Sequence, residues 1–363
     1  MKIENADILF FKTQLMEWSR LNPRPLPWKG EKDPYIIWLS EIILQQTRVE
    51  QGLAYFERFR KNYPTVCALA AAPEDEILKN WEGLGYYARA RNMHATAHYI
   101  CNELDGLFPT TYEGVLALKG IGTYTAAAIA SFAYNLPYAV LDGNVFRVLA
   151  RFLGIEAAVD TTEGKKLFAN LAQQLLDVEQ AGAYNQALMD FGAIQCTPQL
   201  PQCSTCPMQQ RCKALARNIV GLLPAKSKKI IKKERYFHYL VIRSGEQVLL
   251  QKRSAKDIWQ NLYEFPLIEA PQVLEAEQLM QTPIWKELSH SNNCTITRLS
   301  KPFRQILTHQ VIYAIFYEVE CPHPVAAEHD KYLSANFKNL SKFAFPKIID
   351  WYLQDNSLYL SLM

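Results

Sequence analysis

An all-α region followed by an α+β region is the architecture that three features of this 363-residue sequence predict. Apolar residues recur at three- and four-residue spacing from Asp7 to Asn218, β-branched and aromatic runs dominate beyond Tyr236, and a basic stretch separates the two. In the first region the pattern of Ile8-Leu9-Phe10-Phe11 with Leu15, Met16 and Trp18 is that of an amphipathic helix. It is interrupted at Asn22-Pro23-Arg24-Pro25-Leu26-Pro27, Ala72-Pro73, Gly83-Leu84-Gly85, Gly120-Ile121-Gly122 and Thr197-Pro198. Proline and glycine end helices at such points, which leaves segments of ordinary helical length between them. In the second region Tyr236-Phe237-His238-Tyr239-Leu240-Val241-Ile242 and Gln247-Val248-Leu249-Leu250 flank Ser244-Gly245 as the arms of a hairpin would. The strand composition returns from Val311 to Val319. The expected boundaries are 1–216 for the helical region, 217–235 for the linker and 236–363 for the α+β region.

Composition narrows the class of molecule. Hydrophobic residues at 49% and charged residues at 21% exclude a disordered chain, and no apolar run approaches the roughly 20 residues of a membrane span. The first residues, Met1-Lys2-Ile3-Glu4-Asn5-Ala6-Asp7, lack the basic and apolar regions of a signal peptide, so a cytoplasmic location is expected. Net charge is only +3, but Lys226, Lys228, Lys229, Lys232, Lys233 and Arg235 with the single acid Glu234 concentrate +5 in ten residues. Such a run suits both a solvated, self-repelling linker and contact with phosphates.

Four of the eight cysteines, Cys196, Cys203, Cys206 and Cys212, are spaced C-x6-C-x2-C-x5-C, with Pro198, Pro201 and Pro207 bending the chain between them. Four thiolates satisfy either a tetrahedral zinc or an iron–sulfur cluster, and the spacing alone leaves the metal open. Cys67, Cys101, Cys294 and Cys321 are scattered in apolar contexts and read as core residues.

Three further places carry chemistry. Leu118-Lys119-Gly120-Ile121-Gly122 delivers the chain into the helix-forming Thr123-Tyr124-Thr125-Ala126-Ala127-Ala128, whose first N–H groups are a natural phosphate site or, alternatively, part of a plain helix–helix turn. Glu41 is the only acid between Asp33 and Glu50. Desolvated by Ile36, Ile37, Trp38 and Leu39, its carboxyl would keep its proton near neutral pH, as a general acid must; on a solvent-facing side of the helix it would not. Asp142 lies between Tyr138-Ala139-Val140-Leu141 and Gly143-Asn144, where it suits either chemistry or a helix N-cap.

Taken together, Ser40-Glu41-Ile42-Ile43-Leu44-Gln45-Gln46-Thr47, Gly83-Leu84-Gly85-Tyr86-Tyr87, the Gly120/Gly122 hairpin, Leu141-Asp142-Gly143-Asn144-Val145 and the four-cysteine loop resemble the adenine DNA glycosylases of the helix-hairpin-helix superfamily. The likeness runs over nearly all of Asp7 to Cys212 in the family's order and is weaker beyond Tyr236. It implies removal of adenine mispaired with 8-oxoguanine or guanine in double-stranded DNA, by a monomer, in a nucleoid-associated setting if bacterial. It also implies one [4Fe–4S] cluster on the four cysteines and a Nudix-like second domain. Glu41 would protonate N7 of a flipped adenine, and Asp142 would stabilise or capture the oxocarbenium ion, a division of labour like that of a glycosidase pair. Asn144 and Tyr124 match residues that orient Asp142 and the sugar; Leu44, Gln46 and Tyr86 match residues that invade the helix. Lys119, Gly120 and Gly122 would hold phosphate, Gln186 would contact adenine, and Trp28 would form a pocket wall or simply pack in the core. Tyr124 stands where the related endonuclease III has a Schiff-base lysine, so strong lyase activity is not expected.

Some positions depart from the family. Its Phe-Ser-His lesion-reading loop corresponds to Leu307-Thr308-His309, which keeps a hydroxyl on Thr308 and loses an aromatic ring. After Glu264-Phe265-Pro266 there is no Nudix catalytic box, so the second domain is expected to bind and not to cleave. The loop Thr197–Gln202 has no Lys or Arg, which makes Arg211 and Lys213 the candidates for phosphate contact there, and Lys29 stands where other members carry Arg or Gln.

Overall fold

The computed structural model describes residues 2–227, 231–289, 293–323 and 331–355; Lys228 and Lys229 of the basic stretch lie outside them. The chain divides into two compact units, one of residues 1–71 and 92–229, the other of residues 72–91 and 230–363. The segment 72–91, which a linear division at 216 and 236 assigns to the helical region, thus packs with the second unit.

Among the described residues the first unit has helices and no strand. These are α1 (Asn5–Leu21), α2 (Pro34–Leu44), α3 (Val49–Asn62) and α4 (Val66–Ala71). After α5 (Glu74–Asn80) of the other unit comes α6 (Ala88–Glu103), whose residues from Asn92 onward return to the first. It continues with α7 (Tyr112–Leu116), α8 (Thr123–Tyr134), α9 (Gly143–Leu153), α10 (Thr162–Leu175), α11 (Ala181–Ile194) and α12 (Lys213–Ala216). Phe11 and Leu15 of α1 are fully buried, and Phe11 meets Phe152 edge-on at 4.8 Å while Trp18 meets Phe191 at 5.0 Å. Burial of each such ring contributes roughly 2–3 kcal/mol. Ala126, Ala127, Ala128 and Ala130 of α8 are all buried, and these small side chains let α8 lie close to α2 and α11. Gly192 of α11 does the same for α9: a Cβ there would stand 2.6 Å from that of Asn144.

The second unit is built on an eight-stranded sheet: β1 (Lys233–Ser244), β2 (Gln247–Lys252), β3 (Tyr263–Glu264), β4 (Leu267–Ala270), β5 (Thr295–Leu299), β6 (Phe303–Ile306), β7 (Gln310–Glu320) and β8 (Tyr332–Asn336). The expected hairpin is present at Ser244↔Gln247, and the β7 strand predicted at 311–319 pairs in parallel with β1 from Lys233↔Gln310 to Arg243↔Glu320. The helices are α13 (Ala276–Met280), α14 (Pro283–Ser289) and α15 (Lys347–Asp355). Leu279, Trp285 and Leu288 pack with Leu240, Ile242 and Leu249 in one core. Segment 72–91 is bound into this unit by Glu74, which accepts from Asn261 Nδ2 at 2.5 Å, and by Glu82, which accepts from the Phe345 N–H at 2.8 Å.

The reading of four cysteines as unpaired core residues needs correcting. Cys67 is disulfide-bonded to Cys101, and Cys294 to Cys321. The Cα atoms of each pair are 5.2 and 4.3 Å apart, because α4 lies beside α6 and β5 beside the end of β7. That proximity is tertiary and leaves no trace in spacings of 34 and 27 residues.

Candidate active site

Glu41 and Asp142 line one cleft of about 210 Å³ in the first unit. Glu41 is carried by α2, which starts at Asp33, whose side chain accepts from the Tyr35 N–H at 2.8 Å, with Pro34 in the first turn. Every residue from Tyr35 to Ile43 is buried, so α2 has no solvent face on which Glu41 could sit. Burial pushes the Glu41 carboxyl up to about 7, the Asp142 charge adds to this, and a hydrogen bond from Tyr124 opposes it. The Tyr124 hydroxyl is driven far above its ordinary range by burial and by the two carboxyls, so it stays protonated and donates.

Asp142 lines the cleft and is also the N-cap of α9. Its Oδ1 accepts from the Val145 N–H at 2.7 Å and its Oδ2 from Asn144 Nδ2 at 2.8 Å. Burial raises its pKa, while those donors, the Asn144 N–H and the nearby Arg147 charge favour the carboxylate. The helix N-terminus acts in the same sense. The two acids therefore differ in company: one tyrosine hydroxyl for Glu41, a set of aligned donors for Asp142. Asn144 is held in turn by Arg147, whose Nη2 donates to Asn144 Oδ1 at 2.8 Å and to the Gly192 carbonyl at 2.6 Å.

The cleft collects Trp28, Leu44, Tyr124, Asn144 and Gln186 of the expected residues. Half-buried Trp28 lines the cleft and also meets the buried Phe56 edge-on at 5.2 Å. Gln46 is not among the lining residues; it is exposed, with a φ of 57°, just after α2 ends. Lys29 forms an ion pair with Asp190, which also holds Arg24 at 3.4 Å. Asp190 and Arg24 were not singled out from sequence. Asp190 lies one helical turn after Gln186 in an apolar stretch, the same signal that marked Glu41.

Gly120 and Gly122 form the α7–α8 turn. Gly120 has a φ of 79° and its Cα approaches Asn92 so closely that a Cβ would come within 2.7 Å of the Asn92 Cβ. The Lys119 carbonyl accepts from Thr96 Oγ1 at 2.8 Å, leaving an exposed side chain, and α8 takes no side-chain cap. These groups lie outside the cleft lining.

In the second unit, Tyr86 has a φ of 49° and its hydroxyl is hydrogen-bonded to Thr308 Oγ1. Thr308 and His309 form the exposed tip between β6 and β7, closed by a bond from the Leu307 N–H to the Gln310 carbonyl at 2.8 Å.

Cys196, Cys203, Cys206 and Cys212 line a second, smaller cavity. Among the described residues no group of three or more His, Cys, Asp or Glu is placed to hold a single metal ion. Burial and the neighbouring thiols push Cys206 up to about 12 and raise Cys203 and Cys212. Such thiols need a cationic centre to ionise together, and their donor set suits a zinc ion or an iron–sulfur cluster. Arg151 fastens the loop, donating to the Thr197 carbonyl at 2.7 Å and the Pro198 carbonyl at 3.0 Å. Arg211, a candidate for phosphate contact, is ion-paired with Asp7 at 2.9 Å.

Comparison with known proteins agrees with this geometry. Residues 39–175 match the model of the HhH-GPD superfamily of base excision DNA repair proteins, and residues 238–355 match that of the NUDIX domain. An adenine DNA glycosylase of Buchnera aphidicola (strain Bp) is 34% identical over 84% of this chain and 84% of its own length. The Mus musculus adenine DNA glycosylase is 41% identical over 61% of this chain and 44% of its own. A solved thermostable thymine-DNA glycosylase superposes with a TM-score of 0.55 at 28% identity, covering 59% of this chain and 98% of that one. With Glu41, the glycine hairpin, Asp142 and the four-cysteine loop following one another along the sequence, and with 34% identity to the Buchnera aphidicola enzyme over 84% of both chains, the chain belongs to the adenine DNA glycosylase family.

Proposed function

We propose that this protein hydrolyses the N-glycosidic bond of adenine mispaired with 8-oxoguanine or guanine in duplex DNA, as a glycosylase without strong lyase action. The observation that carries the reading is the Glu41–Asp142 pair in one cleft, with Glu41 raised to about 7 and Asp142 on aligned donors. A base extruded from the stack enters the cleft between Trp28 and Gln186, and Leu44, Gln46 and Tyr86 fill or wedge the vacated duplex. Glu41 donates its proton to N7, so the base departs neutral. The Asp142 carboxylate faces the positive charge that develops at C1′, stabilising it or forming a transient bond, and Asn144 and Tyr124 hold the pair in register. Lys119 with the Gly120–Gly122 turn holds a phosphate, and Thr308 and His309 read the opposite base.

The four cysteines fit a [4Fe–4S] cluster, held by Cys196, Cys203, Cys206 and Cys212. When bound, the cluster supplies a rigid cationic core that lets buried thiolates coexist and fixes the loop. The acid and carboxylate chemistry belongs to Glu41 and Asp142.

The test is single-turnover adenine release from matched duplexes with A opposite 8-oxoguanine, G or T, with and without alkali. Alkali-dependent cleavage, fastest opposite 8-oxoguanine, is expected. Absence of adenine release from all three duplexes by cluster-loaded protein refutes the assignment.

A further inference from the structure

The cleft holds an ion group that the acid–base pair leaves unexplained. Asp190, only 5% exposed, sits on α11 and binds both Lys29 and Arg24, which come from the proline-rich segment before α2. All three line the same cleft as Glu41. The three charges therefore border the same space as the Glu41 carboxyl. Building on the adenine-release reading, we propose that Asp190 is the internal counter-ion of the base pocket: by holding Lys29 and Arg24 on its carboxylate it keeps their charge from drawing the proton off Glu41. Asp190 is thus a positioning residue and not a catalytic one.

The electrostatic surroundings of Glu41 are few enough to name. Lining the cleft with it are Tyr124 on α8; Asp142 at the start of α9, with Arg147 behind it; Asp190 and the uncharged Gln186 on α11; and, from the preceding segment, Arg24 and Lys29. From the turn into α3 come Thr47 and Val49, both uncharged. Removing the Asp190 charge leaves two cations facing the cleft. One unit charge ~8 Å away in a medium of effective dielectric about 20 moves a titration midpoint by more than one pH unit. The sign is fixed: an uncompensated cation favours the carboxylate and lowers the Glu41 midpoint, and loss of Lys29 with Asp190 kept raises it.

The experiment follows Glu41 directly, by carboxyl-carbon NMR titration of cluster-loaded, glutamate-labelled protein, the resonance being identified by its loss in Glu41→Gln. Asp190→Asn is expected to lower the midpoint by about one pH unit or more and to cut adenine release at pH 8, relative to pH 6, by about fivefold or more. Lys29→Gln alone is expected to raise the midpoint, and the double variant to return it toward wild type. A packing role for Asp190 would lower release equally at both pH values, leave the midpoint in place and show no rescue by Lys29→Gln. Should Asp190→Asn fail to fold, the rise in Lys29→Gln still decides, since Lys29 is partly exposed and its removal opens no core. An unmoved midpoint in Lys29→Gln or in folded Asp190→Asn overturns the proposal. If wild-type protein released no adenine, the reading of function would fail, and the midpoints would still support or overturn the counter-ion role.

Discussion

Replacing Glu41 with Gln should abolish catalysis and yet make the protein more stable above neutral pH. The ordinary glutamate value of 4.5 applies to the unfolded chain, and burial in α2 raises it to about 7 in the fold. A group with a raised folded pKa gives stability that is fully present below its unfolded value. It is lost progressively as pH rises, until the folded pKa is passed. Over the interval from 4.5 to about 7 this amounts to about 3 kcal/mol, at 1.36 kcal/mol per pH unit. Glutamine has no proton to lose and can still accept from Tyr124, so the variant lacks that decline. Denaturant unfolding of both proteins at pH 5 and pH 8 measures it: the two should be of similar stability at the lower pH, and the variant more stable by about 2–3 kcal/mol at the higher. Asp350, pushed up to about 7 by burial and Glu82, contributes a similar decline in both proteins and cancels in the comparison. Base release in single-turnover assays should fall by about 10²–10⁴-fold, the usual contribution of a general acid, while binding of the lesion duplex stays within about threefold. Identical pH dependence of stability in the two proteins would show that Glu41 is not held protonated, and the proposed acid role would fall with it.

Three other outcomes are expected. Tyr124→Phe removes the one hydrogen bond that favours the Glu41 carboxylate, so the alkaline limb of the pH–rate profile should move to higher pH; a downward move would contradict the arrangement. Asp142→Asn keeps an equally good N-cap, so melting should shift by no more than about 0.5 kcal/mol while adenine release is lost, whereas Asp142→Ala should cost about 1 kcal/mol as well. Gly120→Ala forces a side chain onto a φ of 79° and against Asn92; thermal melts should show a loss of roughly 1–3 kcal/mol, and the salt dependence of duplex binding should become shallower if the turn holds a phosphate.

Much of the site was legible because its chemistry is written locally. Glu41 stands out as one acid in a run of apolar residues, Asp142 as an acid followed by Gly143-Asn144, and the cysteine loop by its spacing. The helical and strand regions were visible through their different periodicities, and β1, β2 and β7 lie where their composition placed them. What escaped was set by contacts distant in sequence. The placement of 72–91 rests on partners such as Asn261 and Phe345, nearly two hundred residues or more away. The two disulfides depend on neighbouring elements, and the role of Lys29 could not be read without Asp190. Gln46, matched to a helix-invading residue, stands exposed just after α2 with a left-handed backbone, outside the cleft lining.

Helix α9 explains why the cysteine loop and the acid pair occur in one domain. Its first turn is capped by Asp142, and its next two turns present Arg147 and Arg151 on the face toward the loop. Arg147 Nε donates to the Cys196 carbonyl at 2.7 Å while its Nη2 reaches Asn144 Oδ1, which places Asn144 Nδ2 against Asp142. Arg147 and Arg151 are both nearly buried, and a buried guanidinium that loses its acceptors is costly. A cysteine loop that came loose would therefore strip carbonyl partners from both arginines at once. The resulting strain would be felt at the N-cap, where the carboxylate must be held still. The loop is in this sense part of the scaffold of Asp142, though its thiols line a separate cavity.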